Sequence, residues 1–236
     1  MYRYFIFSVF SICLTFNFGC SDHYARLVYK SDISTGSCNG QKIKLDKVID
    51  RRGDDDPLRY GTVRGGYGNP LKKLYTEKTI SEDVHDMFEQ ALIKRGCIVD
   101  DKSSFLLKPE VIILGADYLM RRDARCKFIY TLSTDSKSVI YENEAAKQNI
   151  EMTIGAGIFA DVEHFKNYID VTVSQCVDSA VDDQNLWKAL KEHKPVSNTI
   201  KMSGKDRLNQ LVEMMDSGLI TKQEFESKKK EILDSL

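Results

Sequence analysis

Two helical stripes, separated by a long stretch of strand pattern, constrain this chain more than any other feature. The first runs from Ile80 to Arg95. Ile80, Val84, Met87, Phe88, Ala91 and Leu92 recur there at the i, i+4, i+7, i+8 spacing of a helix buried along one face. Thr79 with Glu82 three residues on makes a capping box, and Gly96 supplies the stop. The second stripe starts near Asp161 and continues to about Ala180, with Val162, Phe165, Ile169, Val173, Cys176 and Ala180 on one face. Between the two, Val111 to Leu119 reads as a strand. Arg125 to Ser133 and Ser138 to Ala146 alternate as a hairpin around Asp135-Ser136-Lys137, and Ile150 to Ile154 predicts a further strand. Ahead of the first helix, strands are expected at Arg26 to Tyr29, Gln41 to Arg51 and Tyr60 to Val63, with a loop from Gly53 to Pro70. A short helix from Asp183 to Lys191 carries the only tryptophan, Trp187. This order predicts an α+β fold, a largely antiparallel sheet with two long helices on one face, followed by a C-terminal two-helix module.

The chain begins with an address. One cation, Arg3, precedes an apolar run from Tyr4 to Phe18. That run is shorter than the roughly 20 residues a membrane span needs, and polar sequence starts at once with Ser21-Asp22-His23. It fits the core of a secretion signal. Gly19 places a small residue directly before Cys20, as in a bacterial lipoprotein signal, although Asn17 and Phe18 stand where such signals carry Leu and a small residue. The expectation is a signal over residues 1–19, acyl chains such as palmitate on Cys20, and a tether over 20–40; the alternatives are an uncleaved N-terminal anchor and a plain signal with Cys20 incidental. Each buried methylene of an acyl chain contributes about 0.8 kcal/mol, so two or three chains hold a folded domain on a bilayer. Ser21 after the cysteine, where Asp would favour retention in the inner membrane, points to the outer membrane, facing the periplasm.

Size and charge narrow the classes further. The 236 residues are 42% hydrophobic and 29% charged, a globular balance with room for one ordinary domain and a small appendage. The 34 basic and 35 acidic side chains leave a net charge of −1, without the basic excess of a phosphate-binding nucleic-acid protein. Cys38, Cys97, Cys126 and Cys176 remain after the signal and the acylated Cys20. In an exported chain they could form two disulfides, with three connectivities open, or leave Cys176 as a buried thiol on its helix. Their wide spread, without a C-x-x-C pair, does not suit a zinc site.

Residues 41–192 form the expected main domain and 193–204 a linker. From Lys205 to Leu236 the pattern is two short helices. Leu208, Leu211, Val212 and Met215 stripe the first, which Gly218 ends. Thr221 caps the second, which carries Phe225, Ile232, Leu233 and Leu236. Thirty-two residues bury too little apolar surface to stand alone, so this stripe predicts a partner, another copy of the chain or another protein, with docking back on the main domain as the alternative. Leu208, Leu211, Met215, Phe225, Ile232 and Leu233 are the expected contact residues. Leu208-x-x-Leu211, Asp216-Ser217-Gly218-Leu219-Ile220-Thr221, Glu224-Phe225-x-x-Lys228-Lys229 and Ile232-Leu233 resemble the SHOCT family of short C-terminal domains. That resemblance implies oligomerisation or protein contact, not catalysis. The main domain resembles the YajG-type lipoproteins of Gram-negative envelopes. The likeness rests on Val48-Ile49-Asp50-Arg51, Lys94-Arg95-Gly96, the strand Val111 to Leu119, the paired strands ending near Tyr141, Gly155-Ala156-Gly157 and the late helix. It implies location and fold, and no activity.

Chemical motifs are sparse. Gly155-Ala156-Gly157-Ile158-Phe159-Ala160 imitates a dinucleotide fingerprint but lacks the parallel strand and terminal acid that must follow. Gly65-Gly66-Tyr67-Gly68 lacks the Gly-Lys-Ser/Thr ending of a P-loop and reads as a hairpin loop. Asp54-Asp55-Asp56 lacks the alternating spacing of a calcium loop and reads as a solvated turn. His23, His85, His164 and His193 are scattered. No catalytic residue, cofactor or metal is therefore expected. The leading expectation is a non-enzymatic, membrane-anchored envelope lipoprotein that acts through protein contact or self-association. The alternatives are an accessory subunit of an envelope transport or secretion system, and a hydrolase assembled from scattered residues.

Overall fold

The computed structural model describes residues 22–31, 38–134, 138–152 and 161–193, and in the C-terminal segment 208, 211–212, 215 and 222–234. The expected signal over residues 1–19, Cys20, most of the expected linker and the Gly155–Gly157 motif lie outside the described residues. The chain divides into two compact units, Met1–Trp187 and Lys188–Leu236.

The first unit is mixed α+β, with a large and mostly antiparallel sheet. Its strands are β1 (His23–Tyr24), β2 (Lys42–Leu45), β3 (Ile49–Asp50), β4 (Arg59–Arg64), β5 (Pro70–Tyr75), β6 (Ile98–Val99), β7 (Phe105–Tyr118), β8 (Arg121–Thr134) and β9 (Val139–Met152). Its helices are α1 (Ile80–Lys94) and α2 (Val162–Val181), and α3 (Gln184–Glu192) begins in it. Strands β7, β8 and β9 are each 14 residues long and form an antiparallel meander. The other edge of β7 takes β2, β3 and β4 in turn, all parallel to it. β4 pairs antiparallel with β5, and β1 adds parallel to β5. The expected hairpin is thus longer than its alternation suggested, and Ile150 to Met152 continues β9 rather than starting a new strand.

Two local devices shape β7. Val111 opposes Phe128 and Ile113 opposes Lys127, so Ile112 is an extra residue, a bulge. The bulge swaps the parity of the strand. Phe105, Leu107 and Val111 point inward before it, and Leu114, Ala116 and Tyr118 after it. Both halves therefore keep an apolar inner face although strict alternation breaks. Pro109 is the second device, since it has no N–H to give a ladder. β2 pairs at Leu106 and Leu107, β3 at Glu110 and Val111, and the parallel chain leaves the ladder opposite Pro109. The single strand expected from Gln41 to Arg51 is split for that reason.

Both long helices lie on the inner face. The Phe88 ring of α1 meets the Phe128 ring edge-on at 5.4 Å, and Phe165 of α2 meets Tyr118 at 5.2 Å. The capping box of α1 is formed: the Glu82 N–H donates to Thr79 Oγ1, and the Thr79 N–H to Glu82 Oε2. Gly96 ends it at φ +78°. Asp161 caps α2 by accepting from the His164 N–H at 3.0 Å. Asp183 heads α3 and accepts from the Asn185 N–H at 2.9 Å.

Cysteine pairing is narrower than the two-bridge option. Cys38 and Cys97 form a disulfide, while Cys126 and Cys176 are free and buried. The Cys176 thiol lies against the carbonyls of Cys126 and Ala145, at 3.5 and 3.4 Å. Burial, with Cys176 beside it, pushes the Cys126 thiol well above the usual thiol range.

Candidate functional site

The segment from Ala25 to Ser31 was expected to contain a strand, and it contains none. Its backbone is held instead by side chains of the two long helices. The Leu27 N–H donates to Asp83 Oδ2 at 2.9 Å, Val28 to Asp170 Oδ1 at 3.2 Å, and Lys30 to Ser174 Oγ at 2.8 Å. Arg26 Nε donates to Asp83 Oδ1 at 2.9 Å, and Arg26 also pairs with Asp86. The Tyr29 hydroxyl donates to Asp178. A buried charge is tolerated only with partners. Here Asp83 is fully buried against Arg26 and the Leu27 amide of this strap, residues 25–31, and Asp170 against Lys166 at 2.7 Å and Lys30 at 3.2 Å. Leu27 and Tyr29 are buried as well. The strap is therefore tied to α1 and α2 together, starting a few residues after Cys20.

The chain just before this segment adds to the sheet edge. β1 pairs His23 with Leu74 and Tyr24 with Tyr75, and the Tyr24 and Tyr75 rings stack at 5.2 Å. Cys20 itself lies outside the described residues. Sequence reasoning missed the strap. A signal was available: Asp83 sits inside the apolar stripe of α1, beside Ile80, Val84 and Met87, and Asp170 sits between Ile169 and Val173 in α2. An acid on the buried side of a stripe needs a donor from elsewhere in the chain.

Below the helix end of the strap, Arg95 closes the group. Its guanidinium is completely buried and donates to Asp182 (2.8 and 2.7 Å), to Asp178 (2.7 Å) and to the Tyr29 hydroxyl (2.6 Å). Burial by itself would lower the Arg95 pKa. The bonds to Asp182 and Tyr29 outweigh it, and the guanidinium is held above its ordinary range.

The outer face of the sheet holds a basin of about 340 Å³. Arg52, Arg59, Arg64 and Arg125 rim it, with Gly115 among its lining residues. Each guanidinium has a carboxylate. Arg52 grips Asp50 at 2.9 and 2.8 Å and the carbonyls of Arg59 and Leu114. Arg59 pairs with Asp54 at 2.9 Å, Arg64 with Asp117 at 2.7 Å and Arg125 with Asp123 at 3.4 Å. Burial pushes the Asp54 carboxyl up, but the Asp56 amide and the Arg59 guanidinium outweigh this and hold it below the usual range. Among the described residues, neither a histidine nor a cysteine lines the basin. Asp54-Asp55-Asp56 is a turn, with Asp56 accepting from the Leu58 N–H at 3.0 Å. Gly65-Gly66-Tyr67-Gly68 is the turn of the β4–β5 hairpin, closed by the Gly65 N–H to Asn69 O at 2.8 Å. On α1, ligand atoms of His85, Asp86 and Glu89 lie within 4.8 Å of one another, with Asp86 already bound to Arg26.

In the second unit, Leu208, Leu211, Val212 and Met215 are helical, and a helix α4 spans Lys222–Asp234. Leu211 and Phe225 are buried, Leu208 and Met215 half-buried, and Lys229 lies over the Phe225 ring at 5.8 Å. Ile232 and Leu233 fall in α4, and their side chains lie outside the described residues. Among the described residues, no helix is long and apolar enough to cross a membrane.

Residues 206–233 match the short C-terminal domain family, SHOCT. The search among curated proteins gives no match. Among solved structures, a Xanthomonas campestris protein of the DUF330 family is similar at a TM-score of 0.53 and 13% identity, over 74% of this chain and 100% of that one. A minor lipoprotein from Acinetobacter baumannii aligns at a TM-score of 0.37 and 7% identity, over 60% and 90%. A PelC dodecamer from Paraburkholderia phytofirmans aligns at 0.32 and 8%, over 63% and 93%. The first likeness is one of fold.

Proposed function

We propose that the chain is a lipid-anchored protein of the bacterial envelope, akin to the YajG-type lipoproteins, that works through protein contact rather than catalysis. The observation that carries this reading is the strap. A segment that begins just after the candidate acyl cysteine is bonded by its backbone to two helices at once, which suits a domain held by its amino end. The Gly19-Cys20 signal supports it, and so does the Cys38–Cys97 disulfide, since disulfides persist in oxidising compartments such as the periplasm. The paired arginines of the basin support a non-catalytic role, because each is already engaged by a carboxylate. The SHOCT match and the apolar positions Leu208, Leu211, Met215, Phe225, Ile232 and Leu233 support self-association or docking through the C-terminal helices.

Membrane fractionation of the Cys20→Ser variant tests the anchor. The variant is expected in the soluble fraction or as an uncleaved precursor; unchanged membrane retention of a processed chain would sink the reading. A second reading, an accessory subunit of an envelope transport or secretion system, is favoured by β9. That strand pairs with β8 alone along its 14 residues among the described residues, and a free strand edge suits strand addition by a partner.

A further inference from the structure

The register of the sheet places several features at one end. β1 and β5 are parallel, and the Lys73 N–H donates to the Asp22 carboxylate at 3.4 Å. β1 therefore begins at the end of the sheet where β5 begins and the β4–β5 turn closes. β4 and β7 are parallel with Val63 beside Tyr118, so the turn after β4 and the turn after β7 project from the same end. β8 begins there at Arg121, directly opposite Met152 at the end of β9. The three most exposed large apolar side chains among the described residues all sit at this end. Tyr67 of the β4–β5 turn is fully exposed, Met152 is 77% exposed and Met120 of the β7–β8 turn 64%. Exposed apolar groups gathered at one place mark a contact surface.

Charge and chain length say what that surface meets. Arg64, Arg121 and Arg122 near it are paired with Asp117, Asp123 and Glu151, while Lys72 and Lys73 at the start of β5 add two more cations. Asp22 and Glu163 add negative charge, and His23 faces Glu163 at 3.3 Å. This is no basic patch for anionic lipid. It is an end with near-balanced charge and protruding Tyr and Met side chains, a composition suited to a zwitterionic headgroup layer, where tyrosine's apolar body and polar tip are both accommodated. Cys20 lies two residues before Asp22, a reach of at most about 7 Å. An acyl group there would have to enter a bilayer beside these turns, with too little slack for the domain to swing away.

We propose that this end of the sheet rests on the bilayer, with Tyr67, Met120 and Met152 seated among zwitterionic headgroups beside the acylated Cys20. The inference rests on the lipid-anchor reading and adds an orientation to it. The strands then stand on the membrane, and the opposite end, with β6 and the start of β9, faces away.

The test uses the lipidated full chain, reconstituted into phosphatidylcholine vesicles whose acyl chains carry bromine near the headgroups. Co-sedimentation is read first, then quenching of indole emission beyond that of the parent chain. Tyr67→Trp and Met120→Trp are expected to lose emission. Val139→Trp, an exposed site at the far end of β9, is expected to lose none. Equal quenching at positions 67 and 139, or at neither, in protein that co-sediments would overturn the orientation and leave the anchor standing; a protein surface would then be the better occupant. Failure to co-sediment at all would remove the anchor, and the orientation with it.

Discussion

At the scale of single residues, Arg95 and Asp183 carry the most consequence. Arg95 is the largest fully buried side chain among the described residues, and four hydrogen bonds to Asp178, Asp182 and Tyr29 satisfy it. Removing one partner of a buried pair strands the other charge and costs about 3–5 kcal/mol. Arg95→Met is therefore expected to lower the stability measured by urea unfolding by that much; a loss under about 1 kcal/mol, typical of an exposed pair, would contradict the assignment. Asp183 accepts from Tyr130, Tyr141, Asn143 and the Asn185 amide. Burial pushes its carboxyl up, but the hydrogen bonds outweigh that and hold it below the usual range, while burial and the same carboxylate push the Tyr141 hydroxyl up to about 12. A folded-state pKa below the unfolded one contributes stability above the unfolded value and loses it as pH falls through the folded one. Asp183→Asn is thus expected to be less stable than the parent at neutral pH, with the gap closing in acid below about pH 4. A gap that stays constant through an acid titration would refute this.

At the scale of elements, the helix ends and the covalent link decide. The capping box of α1 was legible because its two residues lie three apart, within one turn, and its geometry is purely local. Thr79→Ala is expected to cost about 1 kcal/mol by thermal melting. The disulfide was not legible. Cys38 and Cys97 are 59 positions apart, and they meet because β2 and β6 pair in parallel, Lys42 beside Ile98. Replacing both cysteines by alanine should lower stability by about 2–4 kcal/mol. Cys126 was equally eligible by sequence, while the helical stripe already offered Cys176 as a buried thiol; both are buried thiols between β8 and α2. Iodoacetamide should label neither in the native chain and both after unfolding, as read by mass spectrometry. The strap escaped sequence reading for a related reason. Leu27 and Tyr29 alternate like a strand, but the groups that receive them are Asp83 and Asp178, 56 and 149 positions along the chain.

At the scale of the whole molecule, the two units make separate predictions. Removing residues 205–236 is expected to leave the melting of the first unit unchanged and to reduce the number of chains per particle, read as sedimentation mass divided by chain mass. The same number of chains before and after truncation would count against self-association through the C-terminal helices. The α+β class is legible in the sequence itself, because α1 and α2 carry strong 3.6-residue stripes on either side of alternating segments. The detail of the sheet is not. The bulge at Ile112 and the break opposite Pro109 interrupt alternation, and only pairing with β8, β2 and β3 gives those interruptions a meaning.

Sequence alone set whatever depends on neighbours within a turn or two: the helical stripes, the caps, and the short C-terminal family match. Tertiary structure alone chose which cysteines join, which carboxylates hold the strap, and which turns share one end of the sheet. The division follows from distance along the chain. Periodicity and capping are local properties of the backbone, whereas a buried acid or a lone thiol acquires its role only when folding brings its partner from dozens of residues away.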